Sequence, residues 1–169
     1  MDKFIFALES FKNIQDLIKF IDQKSSAVLV VTGLIFTGYT QFLEGLIFTS
    51  NFNSLGFLTF ISSLSTLISL LIVIYISIYK VLKPRVATHY TANEYSLFYY
   101  EHIYQIGKDN ILKQYNNLNS DVILKNIIDQ QHEVSHILSK KTKFLSYSFS
   151  WLFVSIVSTL FFIIFSIQL

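Results

Sequence analysis

Three long apolar runs constrain this chain more than any other feature: residues 27–48, 55–79 and 145–167. A helix needs about 20 apolar residues to cross a hydrocarbon core about 30 Å thick, and each run is at least that long. The second and third runs carry no charged residue, and the first carries one, Glu44, near its far end. Lipid offers no water to backbone N–H and C=O groups, so a crossing segment must be a helix or part of a closed barrel. Barrel strands are short and alternate in polarity. These runs are continuous and about twice as long, so the expected fold is an all-α integral membrane protein with three transmembrane helices.

Composition agrees. Of 169 residues, 52% are hydrophobic and 14% charged, against about a quarter charged in an ordinary soluble domain. The net charge of +2 gives no case for nucleic-acid binding. The chain has no cysteine, which excludes disulfides and thiolate metal sites. With one Pro and five Gly, no low-complexity linker is expected.

Lysine placement sets the expected orientation. Lys3, Lys12, Lys19 and Lys24 precede the first run; Lys80, Lys83, Arg85, Lys108, Lys113, Lys125, Lys140, Lys141 and Lys143 lie between the second and third. Residues 49–54 contain none. The positive-inside rule puts the N-terminus and residues 80–144 in the cytosol, with Leu169 outside. Asp2, Glu9, Asp16 and Asp22 come before any long apolar run, so no cleaved signal peptide is expected.

Two stretches remain outside the spans. Residues 1–26 place Phe4, Leu8, Phe11, Ile14, Ile18 and Ile21 at helical spacing, which predicts an amphipathic N-terminal helix. It would lie on the membrane surface or on the cytosolic segment. Residues 80–144 read as a helical hairpin. Pro84 should stop the second span's helix, since it lacks an N–H donor and restricts Lys83. Thr91 and Glu94 make a T-x-x-E capping box, and Tyr95, Phe98, Tyr99, His102, Ile103 and Ile106 share the face of the helix that follows. Gly107 kinks or ends that helix. A second helix is expected from Ser120, with Asp121 in its first turn and Leu124, Ile127, Ile128, Val134, Ile137 and Leu138 on its apolar face. No proline separates it from the third span, so the two should form one long helix. About 60 residues cannot build a large core alone, so packing on the N-terminal helix or on neighbouring subunits is expected.

Four stretches, in order, resemble a known family. They are I-D-Q-K-S-S-A-V-L-V-V-T-G at 21–33, V-L-K-P-R at 81–85, L-F-Y-Y-E-H-I at 97–103, and K-T-K-F before the last span. Together they resemble the Pycsar transmembrane effector (PycTM) family, whose opening is D-x-K-A; Ser25 stands where the family commonly has Ala. The resemblance implies a bacterial antiphage effector of the inner membrane, causing abortive infection. It implies gating by a cyclic pyrimidine nucleotide, cyclic UMP or cyclic CMP, from a partner cyclase, followed by membrane disruption. No β-rich cyclic-nucleotide-binding domain is recognisable, so the resemblance assigns no ligand site.

Several residues are candidates for chemistry. His132, Glu133 and His136 match H-E-x-x-H, which on a helix puts two imidazoles on one face beside a carboxylate base. No Asp, Glu or His follows His136, so a third ligand would have to be His89, His102 or Asp129 upstream. Coincidence in a polar helix is the plainer reading, with no metal or other cofactor. Asp22, Lys24, Pro84 and Arg85 lie at the inner membrane face, either as helix-end anchors or as a gate, with Arg85 suited to a phosphate. Tyr99, Tyr100 and His102 either pack as core or meet a base. Lys140, Lys141 and Lys143 suit anionic lipid or the ligand's phosphate.

Within the spans, Thr59, Ser62, Ser63, Thr66 and Ser69 share one face, as do Ser155, Ser158, Thr159 and Ser166. Small polar residues favour close helix packing over a wetted pore lining. Gln41 and Glu44 stand about a turn apart inside a span, where a carboxylate suggests function. The reading is therefore a non-enzymatic, ligand-gated, homo-oligomeric membrane effector. The alternatives are a membrane metallohydrolase and a small scaffold or accessory subunit.

Overall fold

A computed structural model describes residues 3–44, 54–84, 97 and 99–168, the side chain of Tyr100 excepted. Every regular element among them is helical: α1 (Lys3–Glu44), α2 (Ser54–Tyr75) running on as a π-helical segment (Ile76–Leu82), α3 (Tyr100–Ile106), α4 (Lys108–Asn116) and α5 (Ser120–Ile167). Among the described residues, three helices are long and apolar enough to cross a membrane: α1, Ser54–Leu82 and α5. The all-helical membrane fold read from the apolar runs is the one observed.

The chain divides into two compact units. One comprises Met1–Phe20 and Pro84–Lys140, the other Ile21–Lys83 and Lys141–Leu169. At 1.5 Å per residue, the 42 residues of α1 extend about 63 Å and the 48 of α5 about 72 Å. Both exceed a hydrocarbon core about twofold. Only part of each can lie in lipid.

In the first unit, the N-terminal part of α1 packs on the start of α5. Ala7 and Phe11 are buried against Ile127 and Val134, flanked by Ile14, Ile18, Ile123 and Leu124. Gln131 Nε2 donates to Ser10 Oγ at 2.8 Å beside this core. Of the two placements expected for the amphipathic helix, packing on the intervening segment is the one found. The apolar faces are rotated slightly from those read in the sequence. Ala7 enters the core while Phe4 is exposed, and Ile128 is exposed while Ile123 packs.

Helix ends in this unit follow local chemistry. Gly107 stands between α3 and α4 with φ 76°, a conformation that L side chains rarely adopt. It ends the helix, as the sequence suggested, and opens a short further one that was not anticipated. α5 begins at Ser120, as expected, and Asn119 caps it: its Oδ1 accepts from the Val122 N–H at 2.8 Å. The T-x-x-E capping box at Thr91 lies outside the described residues.

The second unit has inverted polarity. Ser25, Thr32, Thr59, Thr66, Ser77, Ser148 and Ser155 are fully buried, while Leu34 is 70% and Phe153 68% exposed. Burying hydroxyls and exposing large apolar side chains would destabilise a soluble bundle; in lipid it costs nothing. Most buried hydroxyls are satisfied by carbonyls of their own helix, as in Thr32 to Val28, Thr66 to Ser62 and Ser155 to Leu152. At Lys83 the backbone turns extended (φ −56°, ψ 128°), as the following Pro84 requires, and its N–H donates to Ile78 O in π register.

Candidate functional site

The second unit is held together by hydroxyls across its helices. Tyr39 Oη lies 2.8 Å from Ser63 Oγ, Ser65 Oγ 3.0 Å from Ser158 Oγ, and Ser77 Oγ 2.7 Å from Ser148 Oγ. The Tyr39 ring also rests on Phe162, 5.2 Å between centroids. Small side chains let the backbones approach, and each hydroxyl finds a partner that lipid cannot supply.

The register stacks these contacts in layers. Val28, Val73 and Leu152 form one buried apolar cluster. About a turn nearer the Pro84 end of Ser54–Leu82, helical spacing puts Ser25, Ser77 and Ser148 at one level, all fully buried. Ser25 Oγ alone among these makes no hydrogen bond. A further turn along stand Asp22 on α1, the buried Val81 and the buried Leu145. Here Lys141 Nζ donates to Asp22 Oδ1 at 2.6 Å, with 5% of the lysine side chain and 35% of the aspartate exposed.

Aromatic rings mark the same end. Lys80 Nζ stands 5.8 Å from the Tyr75 ring centroid and 5.9 Å from that of Phe144. Tyr79 and Tyr147 are exposed nearby in sequence. Amphipathic rings and a cation on the outside of a helix bundle suit the lipid headgroup level.

The residues singled out in the sequence are scattered. Asp22 and Lys141 meet. Tyr99 is buried, donates its hydroxyl to Glu101 Oε2 at 2.8 Å and meets His102 edge-on at 5.0 Å. Lys24, Lys140 and Lys143 are exposed, as are Gln41 and Glu44, the last residue of α1. Pro84 is exposed directly after the π-helical segment. Arg85 and His89, like the side chain of Tyr100, lie outside what is described. The three lysines therefore do not present one patch, because Lys141 is turned into its own unit.

The H-E-x-x-H residues share α5, with His132 exposed, His136 half-buried and Glu133 buried. Among the described residues, no group of three His, Cys, Asp or Glu side chains is placed to hold a metal.

The features missed in the sequence reading include the π-helical segment, the Asp22–Lys141 pair, the Tyr39–Ser63 bond and the Ser77–Ser148 bond. The last had a visible signal. Ser77 continues the Ser69 stripe at two helical turns, and Ser148 lies seven residues before Ser155. The Ser/Thr face of Ser54–Leu82 is buried within one chain. It therefore does not by itself call for a neighbouring subunit.

A family model described as the Pycsar effector protein domain matches residues 6–168. No curated protein and no solved structure matches the chain.

Proposed function

The chain belongs to the Pycsar effector family of antiphage defence proteins, and from that premise we propose that it senses a cyclic pyrimidine nucleotide made by a partner cyclase and responds by breaching the inner membrane. The observation that carries this reading is the construction of the spans. Their interior carries a seam of serine and threonine hydroxyls beside buried apolar side chains such as Leu70, Val73 and Leu152, and their exterior is dominated by Leu, Ile, Val and Phe. Such a bundle is stable when tightly packed. If the helices part, it leaves a polar surface that water can enter.

In this reading the activity is binding and gating rather than catalysis, and the N-terminus and residues 84–140 are cytosolic. Arg85 and Lys140 meet the nucleotide's phosphate, Tyr99, Tyr100 and His102 form the surroundings of the base, and Lys143 anchors to anionic headgroups. Asp22, Lys24 and Pro84 belong to the gate, and several subunits assemble around the path. Support for transmission comes from α5, which runs unbroken from Ser120 to Ile167. A ligand moves a 1:99 balance to 99:1 only if it favours the open state by about 5.5 kcal/mol. A long continuous helix is a stiff means of carrying such a bias.

The test uses liposomes holding a dye and the purified protein. Cyclic UMP or cyclic CMP should release the dye, and Arg85→Ala should abolish release while leaving insertion intact. If neither nucleotide binds or causes leakage, and the product of a neighbouring cyclase does not either, the effector mechanism fails.

A further inference from the structure

Lys141 is the most deeply buried charge described in the second unit. A lysine is rarely so enclosed unless paired, and here it donates to Asp22, 119 residues earlier in the chain. The contact ties α1 to α5 at the end of the bundle where Val81 and Leu145 are also buried. Directly behind it, by register, lies the level of Ser25, Ser77 and Ser148. That level holds the one buried hydroxyl in the described residues with no hydrogen bond, Ser25 Oγ. Next to it, Ser54–Leu82 is π-helical from Ile76 to Leu82, a rare geometry that is frequent at functional sites. Ser77 lies in that segment and holds Ser148 at 2.7 Å.

We propose that the Asp22–Lys141 pair is a latch that keeps this end of the bundle shut in the resting protein, and that its release lets water reach the hydroxyl layer of Ser25, Ser77 and Ser148. The inference rests on the effector reading above and adds the contact that holds the effector off. Three features suit the role. The two groups sit on the two helices that continue beyond the bundle, so movement of either helix pulls on the pair. Asp22 keeps a third of its side chain exposed, so water can solvate it once the lysine withdraws. Directly behind the pair stands the polar level of Ser25, Ser77 and Ser148, which water can wet once the latch opens, ahead of the apolar cluster of Val28, Val73 and Leu152.

The experiment is leakage without any nucleotide. Asp22→Asn and Lys141→Met are each reconstituted in dye-loaded liposomes. Basal leakage should rise about tenfold or more, the shift in a closed–open balance that loss of one charged hydrogen bond produces. The charge swap, Asp22→Lys with Lys141→Asp, should return leakage toward the wild-type level, because the summed reach of the two side chains is unchanged. Single variants that insert like wild type and leak no more than it overturn the latch. If a single variant does not insert, the cysteine-free chain offers a second arm. Asp22→Cys with Lys141→Cys, bridged by a short bismaleimide, should lose leakage induced by cyclic UMP or cyclic CMP; a bridged protein that still leaks overturns the latch. Wild-type protein that ignores both nucleotides refutes the effector reading instead, and the latch is then decided by basal leakage of the single variants.

Discussion

Lys141 Nζ sits 2.6 Å from Asp22 Oδ1 and is almost wholly enclosed, while Lys140 and Lys143 on the same stretch of α5 are exposed. A run of three lysines that looks like one basic patch is thus divided by helix geometry: positions one residue apart point about 100° apart. The chemistry divides with it. Lys140→Ala with Lys143→Ala should leave stability within about 0.5 kcal/mol, since neither is enclosed. Lys141→Ala should cost about 1–3 kcal/mol, with the partial exposure of Asp22 keeping it below the cost of a fully buried broken pair. Denaturant titration of the detergent-solubilised variants measures both.

Orientation is checked by labelling. Ser54, Asn117 and Gln168 are exposed, and each can be changed to Cys in this cysteine-free chain. An impermeant thiol reagent applied to intact cells should label positions 54 and 168 and spare 117. Labelling of position 117 from outside would reverse the orientation set by the lysines.

The hydroxyl seam should tolerate small residues and reject large ones. Ser148→Ala removes one interhelical hydrogen bond, worth about 0.6 kcal/mol in a membrane bundle. Ser148→Leu forces three extra carbons into a fully buried position and should cost about 1–3 kcal/mol or prevent assembly. Equal tolerance of the two would place Ser148 on a lipid-facing surface.

His132 and His136 should prove inert as metal ligands. His132→Ala should leave membrane activity intact, and Glu133→Gln should cost stability only, because Glu133 is buried in α5. Stoichiometric zinc in purified protein, lost in His136→Ala, would revive the hydrolase alternative.

Three helices long and apolar enough to cross a membrane, the number among the described residues, are too few to enclose a wide aqueous path, so the active form should be an oligomer. Mass measurement in detergent before and after adding nucleotide should detect it. A monomer under both conditions would confine any path to the interior of a single bundle.

The sequence by itself determined the elements and what surrounds them. Lipid permits no unpaired backbone, so three uncharged or nearly uncharged runs of more than 20 residues had one structural solution, and Pro84, Gly107 and the proline-free stretch after Ser120 set helix ends and continuity through local backbone rules. The family was legible too, in short matches spread along the chain in order. Which side chains meet was not legible, because pairing depends on the rotation and register of helices far apart in sequence. A small rotation puts Ala7 rather than Phe4 in the core of the first unit. In the second, Ser77 meets Ser148 across 71 positions and Asp22 meets Lys141 across 119. A lysine beside other lysines reads as surface until a carboxylate from a distant helix arrives to enclose it. Tertiary packing alone made that choice, because an ion can leave water only where its partner is already in place.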